Sequence, residues 1–258
     1  MKELYSQLMS MSRKLQYQRL VESGALGRLP FIQIDSLDKE NARVVFQGTE
    51  GAYGQAAMHQ FFGDDVNCFH VRTFRDAMEA IEEGSADYAV LPIENSSAGP
   101  VNEMYDLLDE FENYIVAETI LPVVHTLSGL PGTKLSEIKR VYSKAEALMQ
   151  TTRFLDDHSD WQRISVVNTA IAAKKVLEDQ DKAQAAVCST YAAKLHGLEV
   201  LVDEINDEED NSTRFIVVTN QKIFLKDASK ISIEFELPHE SGSLYNLSLI
   251  HISEPTRH

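Results

Sequence analysis

Five places in the sequence set a small hydroxyl, amide or glycine residue where a short apolar run gives way to helical periodicity: Gly48-Thr49-Glu50-Gly51, Asn95-Ser96-Ser97, Ser143, Asn168-Thr169 and Ser189-Thr190. The first N–H groups of a helix lack intrahelical partners and sit at the positive end of the peptide dipole. Ser, Thr and Asn both cap such ends and reach outward from them. Taken singly, each junction is an ordinary cap. Brought together in one cleft, they would hold a small dianion without needing Lys or Arg.

The elements that must position these residues follow from periodicity. Val44-Val45-Phe46 reads as a strand and leads through a tight turn into a helix around Ala56-Ala57-Met58. Ala89 to Ile93 leads into Glu94-Asn95-Ser96-Ser97 and then a helical pattern through Met104, Leu107 and Leu108. Val141-Tyr142 leads into Ser143 and a helix carrying Ala147, Leu148 and Phe154. Ile164 to Val167 precedes Asn168-Thr169 and a helix over Ala172 to Leu177, and Ala185 to Cys188 precedes Ser189-Thr190 and a helix over Tyr191 to His196. Strand, polar turn, helix, repeated, predicts an α/β chain with a largely parallel sheet. Ligands of such sheets gather beyond the carboxyl ends of the strands, where these turns would lie.

Composition narrows the partners. The 258 residues, 43% hydrophobic and 25% charged, are those of a globular enzyme rather than a disordered chain. A formal charge of −16 argues against nucleic acid and anionic membranes, which require clustered Lys and Arg. The sequence shows neither a signal peptide nor an apolar run long enough to span a bilayer, so a cytoplasmic location is expected. Cys68 and Cys188 stand apart from any Cys/His cluster, and the acidic run Asp203 to Asp210 lacks calcium-loop spacing and reads as a solvated loop. No metal and no cofactor are expected.

The segments Ala86-Asp87-Tyr88-Ala89-Val90-Leu91-Pro92-Ile93-Glu94-Asn95-Ser96 and Asn211-Ser212-Thr213-Arg214-Phe215 resemble the prephenate dehydratase family. Gly48 to Tyr53, Phe74-Arg75-Asp76-Ala77 and Ala192 to Leu198 fall in the family's order, so the likeness runs over roughly Ala42 to Asn220. The resemblance implies two lobes of the periplasmic-binding-protein type, the second inserted at about 121–199, with prephenate between them. It implies loss of the ring carboxylate as CO2 and of the opposite hydroxyl as water. Thr213 would then hydrogen-bond the departing oxygen, with Glu94 an open alternative as acid, and Asn95, Ser143 and Gln150 would complete the catalytic set. Ser143 and Gln150 match a serine and a glutamine on the helix after the second lobe's strand, two helical turns apart, so both side chains fall on one face and can meet one ligand; Lys144-Ala145 stand where the family usually has His-Pro. Thr49, Gly51, Ala52, Ser96, Ser97, Asn168, Thr169, Ala170, Arg214 and Phe215 would contact substrate, Arg214 being equally suited to a surface ion pair.

The ends read differently. Residues 1–26 resemble the last helix of a chorismate mutase domain, with Ser12 and Gln16 at the spacing of two of its substrate contacts, but the arginines and long helix that activity needs would lie before Met1, so the activity is expected to be lost and the segment reads as an orphan amphipathic helix. Residues 27–41 read as a linker and 42–220 as the dehydratase domain. Residues 229–246, with alternation over Ile231 to Leu237 and the run Gly242-Ser243-Leu244, resemble the start of an ACT domain (α+β), a module that binds phenylalanine for feedback control when complete. Residues 247–258 resemble the translation of a sequencing-library adapter and are set aside. In the full-length protein a homo-oligomer is expected. Two other functions fit the same fold: dehydration of arogenate, and non-catalytic binding of a small anion.

Overall fold

Extended, Val44-Val45-Phe46 must send alternate side chains to opposite faces. In the computed structural model Val45 packs into a cluster on one side of a sheet, while Val44 and Phe46 pack on the other. Both faces are therefore covered. The structure describes residues 31–208, 210–232, 237, 240–243 and 245. The chain divides into two units, Met1–Asp227 and Ala228–His258, and the first holds every element below.

The chain begins its first lobe with β1 (Ile32–Ile34), β2 (Arg43–Gln47), α1 (Tyr53–Phe62), β3 (Asn67–Val71), α2 (Phe74–Glu82), β4 (Tyr88–Asn95), β5 (Gly99–Pro100), α3 (Asn102–Glu110) and β6 (Tyr114–Pro122). The second lobe follows with β7 (Thr126–Gly129), β8 (Arg140–Ser143), α4 (Ala145–Met149), α5 (Thr152–Asp156), β9 (Gln162–Ser165), α6 (Thr169–Asp179), β10 (Gln184–Cys188), α7 (Thr190–Leu195) and β11 (Glu199–Val202). The chain then returns to the first lobe as β12 (Ser212–Thr219) and β13 (Ile223–Leu225). Sheet order is β3-β2-β4-β12-β6 in the first lobe and β11-β7-β10-β8-β9 in the second.

Several helices start where the sequence supplies a cap. Asn168 Oδ1 accepts from Ile171 N at the head of α6, and Ser189 Oγ from Ala192 N at the head of α7. At α2, Thr73 and Asp76 form a reciprocal capping box. β10 is buried along its whole length, as a strand covered on both faces should be.

The structure departs from the sequence reading in four respects. The sheets are mixed rather than largely parallel, because β12 lies antiparallel between β4 and β6, and β7 antiparallel between β10 and β11. Segment 27–41 is not simply a linker: Ile32–Ile34 pairs with Ile223–Leu225 and Leu37 is buried, so the dehydratase unit reaches past both 42 and 220. The second lobe's sheet runs from Thr126 to Val202, since Leu121 belongs to β6 of the first. The acidic run is also built in: Ile205 is buried, and Asp207 accepts from Thr152 N and Arg153 N at the start of α5. Ser12, Gln16, Leu244 and residues 247–258 lie outside the described residues; of the strand expected over Ile231 to Leu237, the described Ile231, Ser232 and Leu237 carry no regular structure. Gly242 and Ser243 are described, Gly242 at φ +91°.

Candidate active site between the lobes

Two segments join the lobes, residues 123–125 after β6 and 203–211 before β12, and they bond to each other. Val123 N donates to Asn211 O, Asn206 Nδ2 to Val123 O, His125 N to Asn206 Oδ1 at 2.6 Å, and Ile205 N to His125 O. The crossing thus has a fixed register, with the candidate residues at its two ends.

At the first-lobe end, Thr213 is paired in register with Asn95 on β4. Asn95 Oδ1 accepts from Ser97 N at 3.0 Å and Ala98 N at 2.8 Å, and two backbone donors leave no choice about which side of the amide is oxygen. Its Nδ2 must then face Thr213 Oγ1 and Asn211 Oδ1, both at 2.9 Å, and Ser212 O at 3.1 Å. An amide N–H2 only donates, so it fills an acceptor site of the Thr213 hydroxyl and leaves the hydroxyl hydrogen for another partner. A threonine held in this way keeps a hydrogen to donate.

The turn that carries Asn95 is the end of a hairpin between β4 and β5, not the head of a helix; α3 begins later, after Val101. Ser96 and Ser97 do not reach for a ligand here. Ser96 Oγ donates to Asp210 O and accepts from Ser212 N, and Ser97 Oγ donates to Glu208 Oε2. Arg214 points to the opposite face of β12 from Thr213, as strand alternation requires. There it forms a surface ion pair with Glu94 at 2.9 Å and Glu118 at 3.5 Å. Phe215 is 2% exposed and belongs to the first-lobe core.

At the second-lobe end the one-helix premise for Ser143 and Gln150 fails. Ser143 closes β8, is fully buried, and donates to Val187 O at 2.6 Å. Helix α4 stops at Gln150, whose carbonyl accepts from Asp207 N at 2.7 Å. Gln150 is half-buried, and its side-chain Oε1 meets His125 Nε2 at 3.0 Å. The ring of His125, 2% exposed, has Tyr53 Oη of α1 3.2 Å from Nδ1 on its other side. Tyr53 Oη also lies 2.8 Å from Val124 O. Burial pushes the His125 imidazole below its usual range, opposed by its bond to Gln150, and burial pushes the Tyr53 phenol up. Neither His125 nor Tyr53 was singled out from sequence. One histidine after an apolar strand carries no pattern, and its partners lie 72 and 25 residues away.

The third cluster closes one flank. Gly51, at φ +86°, packs so tightly that a Cβ there would lie 3.3 Å from that of Ala170 and 3.4 Å from His196 Nε2. Asn168 Nδ2 reaches Thr49 Oγ1 at 3.4 Å across the lobes. Ala52 precedes α1 as its N-cap residue. Gly51 and Ala170 are thus interlobe contacts rather than open cleft surface. At the head of α6, Asn168 Oδ1 takes the Ile171 N–H, and the preceding Thr169 and Ala170 N–H groups carry no hydrogen-bond partner among the described residues. That leaves two unpaired donors at a helix N-terminus, on residues buried at the interlobe contact.

Two mixed α/β lobes joined by two crossing segments, with an oriented hydroxyl, an amide and a helix N-terminus beside the crossing, define a two-lobed α/β protein. A family model described as prephenate dehydratase matches residues 44–223, and the chain belongs to that family. It is 38% identical over 212 residues to arogenate dehydratase/prephenate dehydratase 1, chloroplastic, of Arabidopsis thaliana, covering 81% of this chain and 53% of that protein. It is 30% identical over 241 residues to the bifunctional chorismate mutase/prephenate dehydratase of Escherichia coli (strain K12), covering 91% of this chain and 62% of that one. The chain thus spans between half and two thirds of the length of these relatives. Among solved structures, a prephenate dehydratase of Arthrobacter aurescens in complex with L-Phe superposes with a TM-score of 0.69 at 28% identity, covering 82% of this chain and 72% of that one. GqqA, described as a novel type of quorum quenching acylase, gives 0.69 at 30% identity, covering 83% and 80%.

Proposed function

We propose that this chain converts prephenate to phenylpyruvate, CO2 and water. The observation that carries the reading is the forced polarity of the Asn95–Thr213 hydrogen bond. In the reaction the bond from the ring to its carboxylate breaks, and its electron pair enters the ring. The bond to the opposite hydroxyl breaks, and the departing oxygen takes up one proton to leave as water. Aromaticity supplies the driving force, so the protein has to position two carboxylates and stabilise charge on the leaving oxygen. The Thr213 hydroxyl, with Asn95 occupying an acceptor site, is suited to that second task. The N–H groups of Thr169 and Ala170 and the amide of Gln150 are suited to the first.

The relatives include proteins named for arogenate, which carries an ammonium where prephenate has its side-chain ketone, and a competition assay ranks the two substrates. An amide-cleaving role of the kind named for GqqA would require an activated nucleophile. Burial holds the Cys188 thiol up to about 12, Ser143 spends its hydroxyl on a carbonyl, and the neighbour of Thr213 is an amide donor instead of a base. The test is appearance of phenylpyruvate from purified prephenate by the parent and by Thr213→Ala, each with and without phenylalanine. Turnover by the parent that the variant loses while still binding substrate supports the dehydratase. A well-folded parent that binds prephenate without turnover would reduce it to a binding module.

A further inference from the structure

We propose that His125 is a positioning residue that sets the orientation of the Gln150 amide, donating from Nε2 to Oε1 so that the amide N–H2 is left for an oxygen of the bound anion. The inference rests on the proposed dehydratase reading for its consequence in turnover, but not for its geometry. His125 is held from every side. Its backbone is bonded at both N and O to the returning segment through Asn206 and Ile205, so the ring is placed by the lobe crossing rather than by its own rotamer alone. Tyr53 comes from the first lobe and Gln150 from the second, and the imidazole, 2% exposed, stands between them.

The tautomer we assign is the one that pairs with the Gln150 oxygen. A buried neutral imidazole has one N–H. Gln150 presents an oxygen at 3.0 Å, which requires the hydrogen on Nε2. Nδ1 is then an acceptor for the single hydrogen of the Tyr53 hydroxyl, 3.2 Å away; with that hydrogen spent on Val124 O at 2.8 Å instead, the phenol would face Nδ1 with a lone pair and call for the opposite tautomer. Fixing Oε1 fixes the amide nitrogen on the other side of the same planar group, and no described residue bonds to it. Free to flip, a glutamine at the end of a short helix would present oxygen or nitrogen to an anion about equally; tied to His125, it presents the donor. The device works through a second residue, so its loss should lower turnover without removing a substrate contact.

The decisive reading is the pair of imidazole nitrogen shifts of His125 in the folded full chain, assigned by their disappearance in His125→Gln. A neutral ring with hydrogen on Nε2 is expected. Hydrogen on Nδ1, or an imidazolium at neutral pH, would overturn the proposal whether or not the chain turns over prephenate. Turnover adds a second arm. His125→Asn, whose short amide cannot reach Gln150, should lose activity by about tenfold to roughly 10²-fold. The loss should fall on kcat and be absent when Gln150 is already Ala. His125→Gln, whose amide nitrogen occupies the Nε2 position, should restore most of it. Equal losses in the two variants, tracking equal falls in melting temperature, would make His125 a packing residue only. A parent without turnover refutes the proposed function, and the nitrogen shifts then still decide the orientation of Gln150.

Discussion

Asn95→Asp changes almost nothing in shape and reverses the polarity of one side of the site. The Oδ1 side survives, since Ser97 N and Ala98 N can donate to a carboxylate as well as to an amide oxygen. On the other side a donor facing Asn211 Oδ1, Ser212 O and Thr213 Oγ1 becomes an acceptor facing three acceptors. Asn211 can adjust by flipping its amide, whose Nδ2 has no partner among the described residues, and Thr213 by turning its hydroxyl hydrogen back to the new carboxylate, which withdraws it from the leaving oxygen. Two N–H bonds at about 0.5–1.5 kcal/mol each put roughly 1–3 kcal/mol of stability at stake. At about 2–4 °C per kcal/mol for a unit of this size, the melting temperature should fall by roughly 2–12 °C. Turnover should fall much further, by about 10²–10³, the effect of removing one preorganised donor to a developing oxyanion. The assay is phenylpyruvate formation across pH alongside a thermal melt. The three acceptors hold the new carboxyl protonated to a higher pH than the ordinary value of about 3.9, and the protonated group donates again, so lost activity should return as the pH falls. An Asn95→Asp enzyme within about threefold of the parent at neutral pH would refute the argument, because it would show that the direction of this bond does not matter to the reaction.

Asp207→Ala removes the carboxylate that bonds Thr152 N and Arg153 N, and should cost about 0.5–2 kcal/mol in a denaturant melt, as for other lost helix caps. The same variant should lower turnover, since the segment carrying Asp207 also holds the Gln150 carbonyl. Burial depresses both His125 and His196, so the unfolded chain takes up protons near the usual value of about 6.5 before the folded one does. Stability should therefore fall as pH drops through that value, and the slope of melting temperature against pH should flatten in His125→Gln. With its thiol up to about 12, buried Cys188 should resist a thiol reagent in the native protein at pH 8, while half-buried Cys68 reacts first; simultaneous labelling would contradict the burial described.

What could be read from sequence was local. The caps at Asn168 and Ser189 are each a side chain bonding three residues ahead, and the sequence shows both partners at once. The apolar run Ala185 to Cys188 in β10 announces a strand covered on both faces. The break at Gln150 was hidden for the opposite reason. The apolar pattern runs through it to Phe154, but Thr151 turns its hydroxyl onto Ala147 O, and a new helix is capped by an aspartate some fifty residues on, Asp207. The antiparallel place of β12 was equally illegible, because nothing in Ser212 to Thr219 names β4 and β6 as neighbours. Asn95 and Thr213 were marked by family likeness, but the hairpin that sets the amide, and the ion pair that diverts Arg214 to Glu94, appear only when distant strands are paired.

The position of β12 has a consequence for how the molecule is made. It is laid between β4 and β6, yet about 90 residues separate the end of β6 from its start, and those residues are the second lobe. On a ribosome adding about 5–20 residues per second, β4 and β6 wait roughly 5–20 s with facing edges unpaired. The second lobe's sheet, by contrast, is assembled from strands within one uninterrupted stretch, Thr126 to Val202, and can close as soon as it emerges. The inserted lobe should thus fold first and the enclosing lobe last, β12 sliding between two strands that are already in place. Until then the apolar edge of β4 is open to other chains. Substitutions that merely slow closure of the second lobe should therefore appear as aggregation of the first.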